Sequence, residues 1–133
     1  MKIRAFTLIE VIAVLGMVLA LSVSGLWLGQ RWQRQVAEDH YLTALNAHWQ
    51  ATLVGAEKKG GSLRFSAHKT IFKVTNQAIV MIELPAHIRS VQATITVSPG
   101  KFADPQVVTL TRADGSKIRL AFQMGWGELI IQR

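Results

Sequence analysis

The chain of 133 residues contains no cysteine, which excludes a disulfide framework, a thiolate metal site and a cysteine nucleophile. Acidic side chains are scarce, 8 Asp and Glu against 15 Lys and Arg. The length supports one modest core and leaves no room for a separate cofactor domain. Charge is almost missing from residues 6–29. Between Phe6 and Gly29 the only ionisable side chain is Glu10, and Val11 to Gly29 is an uncharged run of 19 residues. As a helix, at about 1.5 Å per residue, that run spans roughly 28 Å, close to the hydrocarbon thickness of a bilayer. It reads as a membrane segment or a signal peptide.

The positive charge lies elsewhere. Residues 1–5 carry +2 from Lys2 and Arg4, residues 6–54 carry −1, and residues 55–133 carry +6. No proline interrupts the polar stretch Gln30 to His40, so nothing forces a helix to stop at the membrane surface. Leu42, Leu45, Trp49 and Leu53 then recur at intervals of three and four, the stripe of an amphipathic helix with one buried face. Gly55 and Gly60-Gly61 are the expected stop. One helix of up to about 50 residues is expected, with a membrane-embedded first half and a second half packed on a domain.

Beyond residue 55 the period changes to two. Val91, Ala93, Ile95 and Val97 alternate with Gln92, Thr94 and Thr96, and Ile118, Leu120 and Phe122 alternate with Lys117, Arg119 and Ala121, as in a half-buried sheet. Further strands are expected at Thr70–Val74, Ala78–Leu84, Val107–Thr111 and Leu129–Gln132. Turn signals at Asn76-Gln77, Pro85, Pro99-Gly100 and Asp114-Gly115 separate them, the last as a tight hairpin. The fold class is α+β, a long N-terminal helix on a small antiparallel sheet.

Glu10 needs an explanation, because a carboxylate in a membrane helix is costly and usually has a partner. Either it sits near enough to the interface to stay hydrated, or it meets a positive group in an assembly of such helices. The residues around it narrow the choice. Met1-Lys-Ile-Arg-Ala5 followed by Phe6-Thr-Leu-Ile-Glu10 and the apolar run resembles the N-terminus of type IV pilins and pseudopilins. The resemblance implies a type IV pilin-like fold and the following division: leader 1–5, transmembrane half-helix 6–29, amphipathic half-helix 30–55 and sheet domain 56–133. It implies cleavage by prepilin peptidase between Ala5 and Phe6, with Ala5 standing where the family usually has Gly. It also implies N-methylation of Phe6 and pairing of Glu10 with the terminal amine of a neighbouring subunit.

The segment Glu83-Leu84-Pro85 and the ending Phe122-Gln-Met-Gly125-Trp-Gly127-Glu-Leu-Ile-Ile look similar to competence minor pseudopilins of the ComGD type, and also to the minor pseudopilin of type II secretion, of the GspH type. The expected role is therefore non-enzymatic: assembly of a competence pilus for DNA uptake. Expected partners are the major competence pilin and other minor pilins, prepilin peptidase, membrane lipid, a membrane assembly platform with a cytoplasmic ATPase, and non-specific DNA. The expected location is the cell membrane, single-pass with the C-terminal domain outside, and the cell surface once assembled. Arg31 and Arg34 nearly balance Lys2, Arg4 and the terminal amine, so the charge bias alone sets no orientation.

No cofactor or metal site is expected. His40, His48, His68 and His87 lack ligand spacing, Glu83, Asp104, Asp114 and Glu128 are dispersed, and neither a Walker loop nor a nucleophile elbow occurs. Gly125-Trp-Gly127 reads as a turn before an edge strand. Eleven Lys and Arg among residues 55–133, with Phe65, Phe72, Phe102 and Trp126 among them, form either a polyanion-binding face for DNA or anionic wall polymer, or a solvated charge coat. A secreted binding module competes with the filament reading: Lys2 and Arg4 as n-region, the apolar run as h-region and Ser22-Val-Ser24 as a cleavage site.

Overall fold

The computed structural model describes residues 7–100, 104–123 and 127–133. Its contacts sort the chain into two units, Met1–Val36 and Ala37–Arg133. Helix α1 (Leu8–Lys59) contributes to both. It is followed by β1 (Gly61–Phe65), β2 (Lys69–Val74), β3 (Val80–Glu83), β4 (Ile88–Ser90), β5 (Ala93–Val97), β6 (Gln106–Arg112), β7 (Lys117–Phe122) and β8 (Leu129–Gln132).

In the first unit every described residue of α1 from Leu8 to Val36 is exposed. The hydroxyls within the apolar run are satisfied locally. Ser22 Oγ donates to the Val18 carbonyl at 2.7 Å and Ser24 Oγ to the Ala20 carbonyl at 2.9 Å, so neither polar group needs water. The segment is long and apolar enough to cross a membrane, with a mean hydropathy of 2.4 over its most apolar window.

In the second unit α1 buries Glu38, Tyr41, Leu42, Leu45, Trp49, Thr52 and Ala56, the three-and-four spacing of one helical face. The expected stripe is present, with Leu53 partly buried at its margin. The helix ends at Lys59, beyond the boundary expected at 55. Gly55 does not stop it. A Cβ there would meet Val74 Cγ1 and Gln77 Oε1 at 3.3 Å, so this glycine lets α1 approach the end of β2. The stop is Gly60, in the left-handed region at φ +76°, whose N–H donates to the Ala56 carbonyl at 2.7 Å in the manner of a glycine C-cap.

Two four-stranded antiparallel sheets replace the single small sheet expected. Sheet A has the order β3-β2-β1-β5 and sheet B the order β4-β6-β7-β8. Leu63, Phe65, Phe72, Ile95 and Val97 of sheet A, and Val108, Leu110, Ile118, Leu120 and Phe122 of sheet B, join the buried face of α1 in one core. Strands β1 and β4 carry no strong alternation and were not expected. The chain leaves sheet B at Ser90 and enters sheet A at Ala93, so Val91 lies in the crossover and is 66% exposed. Its place in the Val91–Val97 alternation is lost for that reason. The Asp114-Gly115 signal does form the β6–β7 hairpin. Gly115 N–H donates to the Arg112 carbonyl at 2.9 Å with φ +85°, a turn closed by a left-handed glycine.

Candidate functional site

Glu10 lies in the first turn of α1, where the helix dipole favours a carboxylate. The Glu10 and Val11 N–H groups donate to the Thr7 carbonyl at 3.0 and 3.3 Å, which places Thr7 as the N-cap and Glu10 at its third helical position. Thr-x-x-Glu is the spacing of a capping box. Sequence reasoning missed this spacing; the hydrogen bonds at this turn run from backbone to backbone. Glu10 heads a shallow groove lined further by Val11, Val14, Leu15 and Val18, so the carboxylate caps one apolar helical face. Ala5 and Phe6, the expected cleavage and methylation positions, lie outside the described residues.

At the far end of the apolar run, Arg31 stacks its guanidinium 4.0 Å from the Trp27 ring centroid, and Trp32 is exposed. Tryptophan and arginine together are what membrane–water interfaces attract. From Glu10 to Arg31 the helix rises about 32 Å, at about 1.5 Å per residue, which matches the hydrocarbon thickness of roughly 30 Å. A membrane-spanning placement therefore puts both ionisable groups at interfaces. Trp27 and Trp32 are of the residue type enriched at such interfaces.

The C-terminal part of α1, within the second unit, is tied to both sheets by polar contacts that the sequence did not reveal. Arg112 donates from Nε to Glu38 Oε2 at 2.7 Å and from Nη2 to Glu38 Oε1 at 2.6 Å, and the bond to Glu38 raises the Arg112 pKa further above its ordinary value. Trp49 Nε1 donates to the Gly127 carbonyl at 2.6 Å, and its ring meets Phe122 edge-on at 5.1 Å. Gly127 precedes β8, an edge strand of sheet B; Gly125 and Trp126, the rest of the turn expected there, lie outside the described residues. Tyr41 and Thr70 share a buried hydroxyl–hydroxyl hydrogen bond of 2.7 Å.

The structure also sorts the basic domain. Phe65 and Phe72 are core residues, which removes them from any polyanion-binding face; Phe102 and Trp126 lie outside the described residues. Among the described residues no group of three or more His, Asp or Glu is gathered in metal-binding geometry. Glu83 faces Lys69 across β3 and β2, and Asp114 accepts from the Ser116 N–H and hydroxyl at 2.9 and 2.6 Å, which lowers its pKa.

No protein-family model matches the chain, no curated protein matches it, and no solved structure matches it.

Proposed function

We propose that this chain is a non-enzymatic, pilin-like subunit, inserted by α1 in the membrane and assembled side by side with similar helices into an envelope filament. The observation that carries the reading is Glu10: a lone carboxylate at the head of an apolar, uncovered helical face. The Phe6-Thr-Leu-Ile-Glu10 resemblance supplies the partner, the methylated terminal amine of Phe6 on a neighbouring subunit after cleavage behind Ala5. Away from water such an opposite charge offsets the desolvation of each group. Within this reading the subunit is a minor pseudopilin of a competence pilus, assembled with the major competence pilin by a membrane platform and a cytoplasmic ATPase. The net positive charge of residues 55–133 favours DNA uptake over protein secretion.

Glu10 variants test the assembly role. Glu10→Gln keeps a side chain that can complete a capping box but removes the charge. If Glu10 only caps its helix, Glu10→Gln assembles normally. Under the pairing mechanism both Glu10→Gln and Glu10→Val enter the membrane and fail to enter the filament. Normal incorporation of Glu10→Gln in sheared filaments, with normal DNA uptake, would remove the pairing role.

A further inference from the structure

The two arginines that follow the apolar run share one face of α1. Gln30, Arg31 and Arg34 stand three, four and seven residues beyond Trp27, so at about 100° per residue the four side chains leave the helix within a sector of roughly 100°. All four are exposed and lie in the first unit. The Arg31 guanidinium sits 4.0 Å from the Trp27 ring centroid, which holds a flexible side chain on a rigid platform while its in-plane N–H groups stay available to an acceptor. Arg34 adds a second fork one turn on, with its Cβ about 5 to 6 Å from that of Arg31.

Neither arginine has a carboxylate of its own. No Asp or Glu occurs between Val11 and Ala37, and the next two on α1 are engaged elsewhere, Glu38 by Arg112 and Asp39 by Arg133, each at 2.6 Å. Among the described residues no ion pair involves Arg31 or Arg34. The height of the face determines what it meets. With Glu10 at one interface, the rise of about 32 Å sets Arg31 in the opposite headgroup layer, and Arg34 about 4.5 Å further along, where the lipid phosphates lie. In the orientation of the pilin-like reading this is the outer side, against the usual bias of Lys and Arg toward the cytoplasm. Anchoring alone accounts for the tryptophans but gives no reason for two cations there. A zwitterionic headgroup brings an ammonium for which this face has no carboxylate, and Arg31 already covers a Trp27 ring face on which such a cation would sit. An anionic headgroup matches both forks.

We infer that Trp27, Gln30, Arg31 and Arg34 form a headgroup site for anionic phospholipid, in which both guanidinium groups donate to one phosphate, Trp27 holds Arg31 in position and Gln30 donates beside them. This deepens the proposed function by naming the lipid class that receives the anchor. It rests on the membrane-inserted part of that reading and needs no filament.

The test reconstitutes the full chain in phosphatidylcholine bilayers and measures, by electron spin resonance, how strongly spin-labelled phosphatidylglycerol and spin-labelled phosphatidylcholine associate with it. Phosphatidylglycerol should be preferred by about fivefold or more. Arg31→Gln/Arg34→Gln should lose most of that preference, whereas Arg64→Gln/Lys69→Gln, an equal charge loss on sheet A, should keep it. Equal losses from the two pairs, or no loss from the first, would overturn the inference. Arg31→Lys/Arg34→Lys keeps the charge without the forks and should retain less than half of the preference; full retention would show diffuse attraction and no built site. Inorganic phosphate should displace the probe no better than chloride at equal ionic strength, and stronger displacement would assign the site to a soluble phosphate. A chain that fails to enter the bilayer removes the anchor and the inference together. Entry without headgroup preference refutes the inference alone and leaves the filament reading standing.

Discussion

Glu38 and Arg112 form a two-point ion pair, 2.7 and 2.6 Å in its two hydrogen bonds, in which the Glu38 side chain is 8% exposed and that of Arg112 21%. The pair fixes the part of α1 within the second unit against the β6–β7 hairpin. Removing one member leaves the other charge poorly solvated, while removing both leaves none. Arg112→Leu should therefore destabilise the folded unit by about 3 kcal/mol, at the lower end of the range for buried pairs because Arg112 keeps some water. Glu38→Leu/Arg112→Leu should recover much of that loss. Urea denaturation of the two variants checks this, and a double variant as unstable as the single one would show that the pair is not a unit.

Tyr41 is the only tyrosine in the chain, so its ionisation can be followed without overlap. Burial pushes its hydroxyl up from 10.0 to about 12, against the opposing effect of the Thr70 hydrogen bond. The folded state thus holds the proton more tightly than the unfolded chain. Its contribution is fully present below pH 10 and is lost as pH rises from about 10 to about 12, an effect of about 2 to 3 kcal/mol. Tyrosinate absorbance of the folded protein should have its midpoint near the upper value, and Tyr41→Phe should flatten stability over that window. A midpoint at the ordinary tyrosine value would contradict the burial.

Gly127 combines a left-handed φ of +67° with a close approach: a Cβ would lie 2.8 Å from Leu53 Cδ1. Its carbonyl also accepts the Trp49 indole N–H. Gly127→Ala therefore strains the backbone and crowds the helix, and a loss of about 2 to 3 kcal/mol is expected. Trp49→Phe keeps the edge contact to Phe122 while leaving the Gly127 carbonyl without its donor, for about 1 to 3 kcal/mol. Thermal unfolding of both variants measures these effects, and a melting temperature unchanged by Gly127→Ala would show that neither the φ of Gly127 nor its approach to Leu53 constrains the fold.

Much of the fold could be read from periodicity. Leu42, Leu45 and Trp49 announced the buried helical face, and Ile118, Leu120 and Phe122 the inner side of β7, because each pattern repeats at the pitch of its element. The partition into two sheets was not legible. Strand β4 has three residues, too few to show a period, and Val91 resembles the strand it precedes until the crossover is seen. Gly55 illustrates a different limit: the same missing Cβ serves a helix stop or a close packing contact, and only the neighbouring Val74 and Gln77 decide. The Glu38–Arg112 pair joins residues 74 apart, a distance at which one sequence carries no pairing signal. At the candidate site, Glu10 stood out because it is the lone charge in an apolar run. Its partner belongs to the proposed assembly.

The central claim is that Glu10 meets the amine of a processed neighbour, and the mass of the native N-terminus tests it most directly. Protein isolated from membranes of the producing cell should begin at Phe6 with one added methyl group, which supplies the cation that the mechanism requires. A mature chain beginning at Gly25, cut after the Ser22-Val-Ser24 segment, would lack Glu10 altogether and contradict the account in favour of a secreted module.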